Sequence, residues 1–149
     1  MRMTVRAPRG AVLAQREAYN QVLRNGAKVV AQLFSGKSTQ AINRIQLGFA
    51  TEEAAADAVA LTQANPPLAV SALSSPVAPG AFTIDTTPSS FVRVAVNALF
   101  VPSVALDKVS EAGLFAGDDL YNQVVFEPIS LEPGQNITFF WEIQFPFGH

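Results

Sequence analysis

Ser35-Gly36-Lys37-Ser38-Thr39 is the run whose residue types come nearest to performing chemistry. A phosphate-binding loop needs a first glycine five positions before Gly36, and a helix directly after the Lys-Ser pair whose N-terminus holds the phosphates. Ala31 occupies the first position and residues 42–49 read as a strand, so the run reads as a polar hairpin loop. His149 is the single histidine and the last residue, a poor place for the oriented base of a nucleophilic triad. Asp118-Asp119 could begin a cation site, yet an oxygen cage needs several ligands converging from one loop, and these two read as turn residues in water. Asp85, Asp107, Glu111, Glu127 and Glu142 fall on separate elements, so their spacing defines no acid–base pair. With no cysteine in the chain, thiolate nucleophiles, disulfides and Cys-based zinc sites are excluded. The expectation is a protein that is not an enzyme, with no catalytic, cofactor-binding or metal-binding residues.

Two further positions carry structural readings. Glu111 precedes Ala112-Gly113-Leu114-Phe115 at the start of a buried strand. A carboxylate there can accept hydrogen bonds from loop amides and, with Gly113, set the geometry of a turn. Trp141, with Phe139 and Phe140, could stack against a sugar, but alternation along the strand places Trp141 with the core set.

The elements that would position these residues are mostly strands. Residues 91–100 form the strongest candidate, with Val92, Val94, Val96, Ala98 and Phe100 on one face and Arg93 and Asn97 on the other. Residues 137–145 repeat the alternation, launched by the turn Glu132-Pro133-Gly134-Gln135-Asn136. Residues 82–86, 120–126 and 41–49 also read as strands, and 28–34 is expected to pair with 41–49 in a hairpin. A helix is expected over 10–25, stopped by Asn25-Gly26, and a short one over 54–61 with Thr51 as its N-cap. Residues 65–80 hold four prolines, Pro66, Pro67, Pro76 and Pro79, and read as a long connection. The predicted fold is mainly β, an antiparallel β-sandwich or barrel-like sheet flanked by one N-terminal helix and one short helix. Its organisation is a basic N-terminal arm and helix over 1–27 and a β-sandwich body with a C-terminal tail over 28–149.

The charge pattern narrows the partners. Arg2, Arg6, Arg9, Arg16, Arg24 and Lys28 face only Glu17 in the first 28 residues, whereas eleven acids face four bases from residue 29 onward. Six dispersed bases without interleaved aromatics argue against nucleic acid and for an acidic protein surface, including another copy's body. Charged residues make up only 15% of the chain, so part of its apolar surface is expected to be buried against neighbours. No run approaches the roughly 20 apolar residues of a membrane span, and no apolar block follows the basic start as a secretion signal requires.

The strand pattern resembles small structural proteins of tailed bacteriophages and phage-tail-like particles. The resemblance is carried by residues 94–100, by Val109-Ser110-Glu111-Ala112-Gly113-Leu114-Phe115, by 120–129 and by the closing run 137–145. Upstream, Ile45-Gln46-Leu47-Gly48 and an alanine-rich segment ending Ala58-Val59-Ala60-Leu61-Thr62 also fit. Where such families show a glycine-rich step after Gly48, this chain has Phe49-Ala50-Thr51. The resemblance implies a virion structural protein, made in the host cytoplasm and resident in the virion. Its sharper form is a capsid decoration or cement protein, a symmetric oligomer seated on major capsid or tail proteins. Arg2, Arg6 and Arg9 would then be charge contacts, with Phe145 and Phe147 as apolar anchors. A neck, tail or baseplate piece that anchors a fibre, and a carbohydrate- or receptor-binding module, are the alternatives.

Overall fold

The computed structural model describes residues 1–148; His149, weighed above as a base, lies outside the described residues. Alternation builds the core. In the strand Asn136–Pro146 (β10) the side chains of Ile137, Phe139, Trp141 and Ile143 point inward, and Trp141 and Phe139 are wholly buried. Their rings stack with centroids 5.4 Å apart. Antiparallel pairing with Phe91–Phe100 (β7) sets Val96 opposite Trp141 and Ala98 opposite Phe139, so large and small residues share one layer.

On the other side of β10 lies Arg2–Arg6 (β1), in register from Arg2 opposite Phe140 to Arg6 opposite Asn136. Val12–Glu17 (β2) pairs with β1, and Phe82–Asp85 (β6) closes the far edge beyond β7. This five-stranded front sheet has the order β2-β1-β10-β7-β6. The back sheet has the order β3-β9-β8-β4-β5. It is built from Gln21–Val22 (β3), Arg44–Gly48 (β4), Ser74–Pro76 (β5), Leu106–Ala116 (β8) and Asp119–Leu131 (β9). All pairings are antiparallel. The protein is thus mainly β, with two antiparallel sheets packed as a sandwich and two helices, Arg24–Phe34 (α1) and Val70–Leu73 (α2).

The helices do not lie where the sequence reading expects them. Residues 10–23 form β2, β3 and the segments that flank them, not a helix, and Asn25-Gly26, expected as a helix stop, lies in the first turn of α1. Pro8 and Gly10 make the turn of a β1–β2 hairpin, with Gly10 N–H donating to the Ala7 carbonyl at 2.8 Å. Pairing with β1 therefore overrides the loose helical spacing of Val12, Leu13, Ala18 and Val22. Residues 28–34, expected as a strand, belong to α1: Val29, Val30, Leu33 and Phe34 repeat at four-residue spacing, a helical period. No hairpin joins 28–34 to 41–49, although β4 does form within the second run. Residues 51–61 form no helix. The N-terminal segment is no free arm either: Met3 and Val5 are buried, and β1 is an internal strand.

Front and back sheets differ in cover. The front sheet's outer face meets solvent through Thr4, Asn97, Glu142 and Gln144. The back sheet's outer face is covered by residues 50–62, where Leu61 packs in a second small cluster with Leu23, Phe115 and Leu120. No helix among the described residues is long and apolar enough to cross a membrane.

Candidate functional site

Glu111 lies inside β8, opposite Gly48 of β4 and Val125 of β9, and is fully buried. Its Oε2 accepts the Thr62 N–H at 2.8 Å, and its Oε1 accepts a hydrogen bond from Gln123 Nε2. The Gln123 Oε1 in turn accepts the Ala54 N–H at 2.8 Å, and Ser110 Oγ donates to the Ala50 carbonyl at 2.6 Å. These side chains form a clasp that holds residues 50–62 against the sheet. Burial pushes the Glu111 carboxyl above its ordinary range, opposed by the hydrogen bonds from Gln123 and Thr62. Glu111 and Gly113 belong to no turn; both are mid-strand. A Cβ at Gly113 would stand 2.6 Å from the Asn122 carbonyl oxygen, so this glycine permits close strand approach. The clasp partners Ser110 and Gln123 were not singled out from sequence. Their signal is polar residues, Gln123 directly opposite Gly113, inside strands that are otherwise apolar.

The remaining chemical candidates separate. Ser35-Gly36-Lys37 ends α1: Gly36, at φ +69°, donates to the Leu33 carbonyl at 3.2 Å, and Lys37 N–H to Gln32 at 2.9 Å. This is the Schellman pattern of a helix C-terminus, where carbonyl oxygens repel rather than cradle phosphate. Asp118 is fully exposed, 4.0 Å from Arg44, while Asp119 accepts from Asn25 Nδ2 at 3.0 Å. No group of three metal-ligating side chains gathers among the described residues. Trp141, buried in the core, presents no face to a sugar.

Of the expected contact residues, Arg6 and Arg9 fall at one end of the front sheet and Phe145 and Phe147 at the other, while Arg2, opposite Phe140, lies midway along β10. Arg2 and Arg6 point from β1 to its outer face. Arg2 lies 3.8 Å from Glu17 and 5.7 Å from the Phe140 ring centre; Arg6 donates to the Gly10 carbonyl at 3.2 Å. Arg9 is exposed in the adjoining turn. Arg6 is opposite Asn136 at the start of β10, whereas Phe145 lies nine residues further along, about 30 Å away at strand rise. Phe145 and Phe147 are partly exposed there, and Phe147 N–H donates to the Ser90 carbonyl at 3.0 Å.

Phe145 borders an apolar groove of about 520 Å³ between α1 and the end of the front sheet. Val30, Leu33, Phe34, Phe82, Val94 and Ile143 also line it. Tyr121, nearly all buried, reaches the same groove, and burial raises its phenol above the ordinary range. Phe34, at 92% exposure, is the most exposed phenylalanine on the surface. It was not singled out from sequence because 28–34 read as a strand. Comparison with known protein families, curated proteins and solved structures finds no match to this chain.

Proposed function

We propose that this protein is a structural subunit of a virus particle, a decoration or cement protein that acts by gripping other proteins and performs no turnover. The observation that carries this reading is the surface chemistry of a filled sandwich. Arg6 and Arg9 lie at one end of the front sheet with Arg2 midway along it, and the exposed Phe34 and Phe145 flank a groove at the other end. Such a body can touch two neighbours at once, so that individually weak contacts add by multivalency. The strand pattern's resemblance to small proteins of tailed phages supplies the kind of lattice. The face that carries Arg2, Arg6 and Arg9 suits an acidic partner surface, and the Phe145 end an apolar one.

A cryo-EM map of particles purified from the cells that make this chain tests the reading. The expected result is density for the sandwich in many copies over the head. A ring of few copies replaces decoration with a neck or tail role, and particles lacking the chain overturn the proposal. Since β1 is internal to the sheet, the charge contacts are tested by Arg6→Glu with Arg9→Glu, not by truncation. The double variant is expected to fold normally and to bind particles more weakly, with less dependence on salt.

A further inference from the structure

We propose that the pocket beside a bulge in β8 binds a small amphiphilic carboxylate, with Lys108 pairing its head while its apolar body lies along Phe49, Leu68 and Pro128. The site stands apart from the lattice contacts proposed above and does not rest on them.

Regular pairing breaks at the bulge. Leu106 is opposite Leu131 and Val109 opposite Ile129, so Asp107 and Lys108 together face the single residue Ser130. An inserted residue of this kind bends its strand and re-aims a side chain. Here it holds Lys108 at φ +56°, the one non-glycine residue at positive φ among the described residues. Glycine takes that conformation freely, whereas a lysine is strained in it. Backbone strain of this kind collects at ligand clamps.

Lys108 borders a pocket of about 510 Å³ between residues 63–68 and the β8–β9 pair, within the size range of small-molecule sites. Phe49, Leu68 and Pro128 give it apolar walls, and Gln63 and Asn65 add amides. Ser110, whose hydroxyl fastens the Ala50 carbonyl, lines it too, so the clasp fixes one of its sides. A few polar groups converging on an apolar lining are what orients a bound small molecule.

Charge selects the head group. The exposed Lys108 pairs with no acid among the described residues. Asp107 also borders the pocket, but its Oδ1 accepts the Ser130 hydroxyl at 2.6 Å, which ties it across to β9. An unpaired ammonium beside apolar walls complements a carboxylate that carries an apolar tail.

Titration of the full chain with octanoate, followed by amide chemical shifts and run beside octan-1-ol, tests the proposal. The expected result is saturable binding of one octanoate per chain, with shifts centred on Phe49, Leu68 and Lys108. Octanol should bind at least ~10-fold more weakly, the loss of one charge-assisted contact. Lys108→Gln should weaken octanoate by the same factor and leave octanol unchanged. Lys108→Gly, which removes the strain along with the ammonium, should weaken octanoate equally and melt no lower than the natural chain. No saturable binding up to about 1 mM, equal affinity for octanoate and octanol, or Lys108 variants that bind octanoate as the natural chain does overturns the proposal. Shifts confined to Val30, Leu33 and Phe34, which place the ligand in the α1 groove instead, do so too. None of these results depends on particles, so this site and the lattice reading stand or fall separately.

Discussion

β10 alternates between buried and more accessible residues from Asn136 to Gln144, whereas β8 is buried without a break from Val109 to Ala116. The difference follows from what lies outside each sheet. The front sheet has one packed face and one face in water, which period-2 alternation encodes. The back sheet has the core on one side and its own chain, residues 50–62, on the other. A cover of irregular backbone must have its amides satisfied, and Ser110, Glu111 and Gln123 do this from inside the sheet. The lesson is that a buried carboxylate here marks a fastening between sheet and loop. The face that the molecule leaves uncovered carries exposed charges instead.

Substitutions can break this comparison. Trp141→Ala strikes the layer shared by both sheets and is expected to cost about 3–5 kcal/mol, read as a lower denaturation midpoint with unchanged slope. A loss under 1 kcal/mol would mean the two sheets do not share one core. Next in size, Glu111→Ala leaves the Thr62 N–H and Gln123 Nε2 without their acceptor and is expected to cost about 1–3 kcal/mol. Hydrogen exchange should accelerate at Ala54 and Thr62 ahead of the strands. On the open face, Asn97→Ala should change stability by no more than about 0.5 kcal/mol. Equal losses at Glu111 and Asn97 would erase the distinction between the sheets.

Titration sharpens it further. Glu111 has its folded-state pKa raised by burial above the ordinary 4.5, so the folded state holds the proton more tightly than the unfolded chain does. Its contribution is complete below 4.5 and is lost as pH rises through the folded-state value. Glu111→Gln should flatten that fall. Asp85, on the front sheet, behaves oppositely: hydrogen bonds from Thr87 and then Arg93 lower it from 3.8 to about 2. Its contribution is present above 3.8 and lost as pH falls toward about 2, an effect that should be the smallest of the set because water at this half-buried sheet-edge carboxylate screens its pairing. Denaturation midpoints measured from pH 2 to 8 on the natural chain, Glu111→Gln and Asp85→Asn check both signs.

The front sheet's centre was legible because β7 and β10 state their inward residues at every second position. The back sheet was legible only in outline, since continuous burial removes the alternation. The first 34 residues misled for a physical reason. β1 is a short strand stabilised by pairing with β10, some 130 residues away in sequence, and β2 pairs in turn with β1; local periodicity carries no trace of the distant pairing. In 28–34, β-branched Val29 and Val30 suggested a strand while the four-residue recurrence carried the helix. Phe145 was legible as an apolar end of β10. Its neighbour Phe34 was not, because the groove they share is made only when α1 lies across the end of the sandwich.

The proposed role is binding to a protein lattice at fixed stoichiometry. Its most direct test adds purified chain to particles stripped of it, then measures bound copies by quantitative pelleting and the melting temperature of the particle. Saturation at a whole-number ratio to the lattice subunit, with a higher melting temperature, is the expected result. Binding that never saturates, or none at all, would contradict the account.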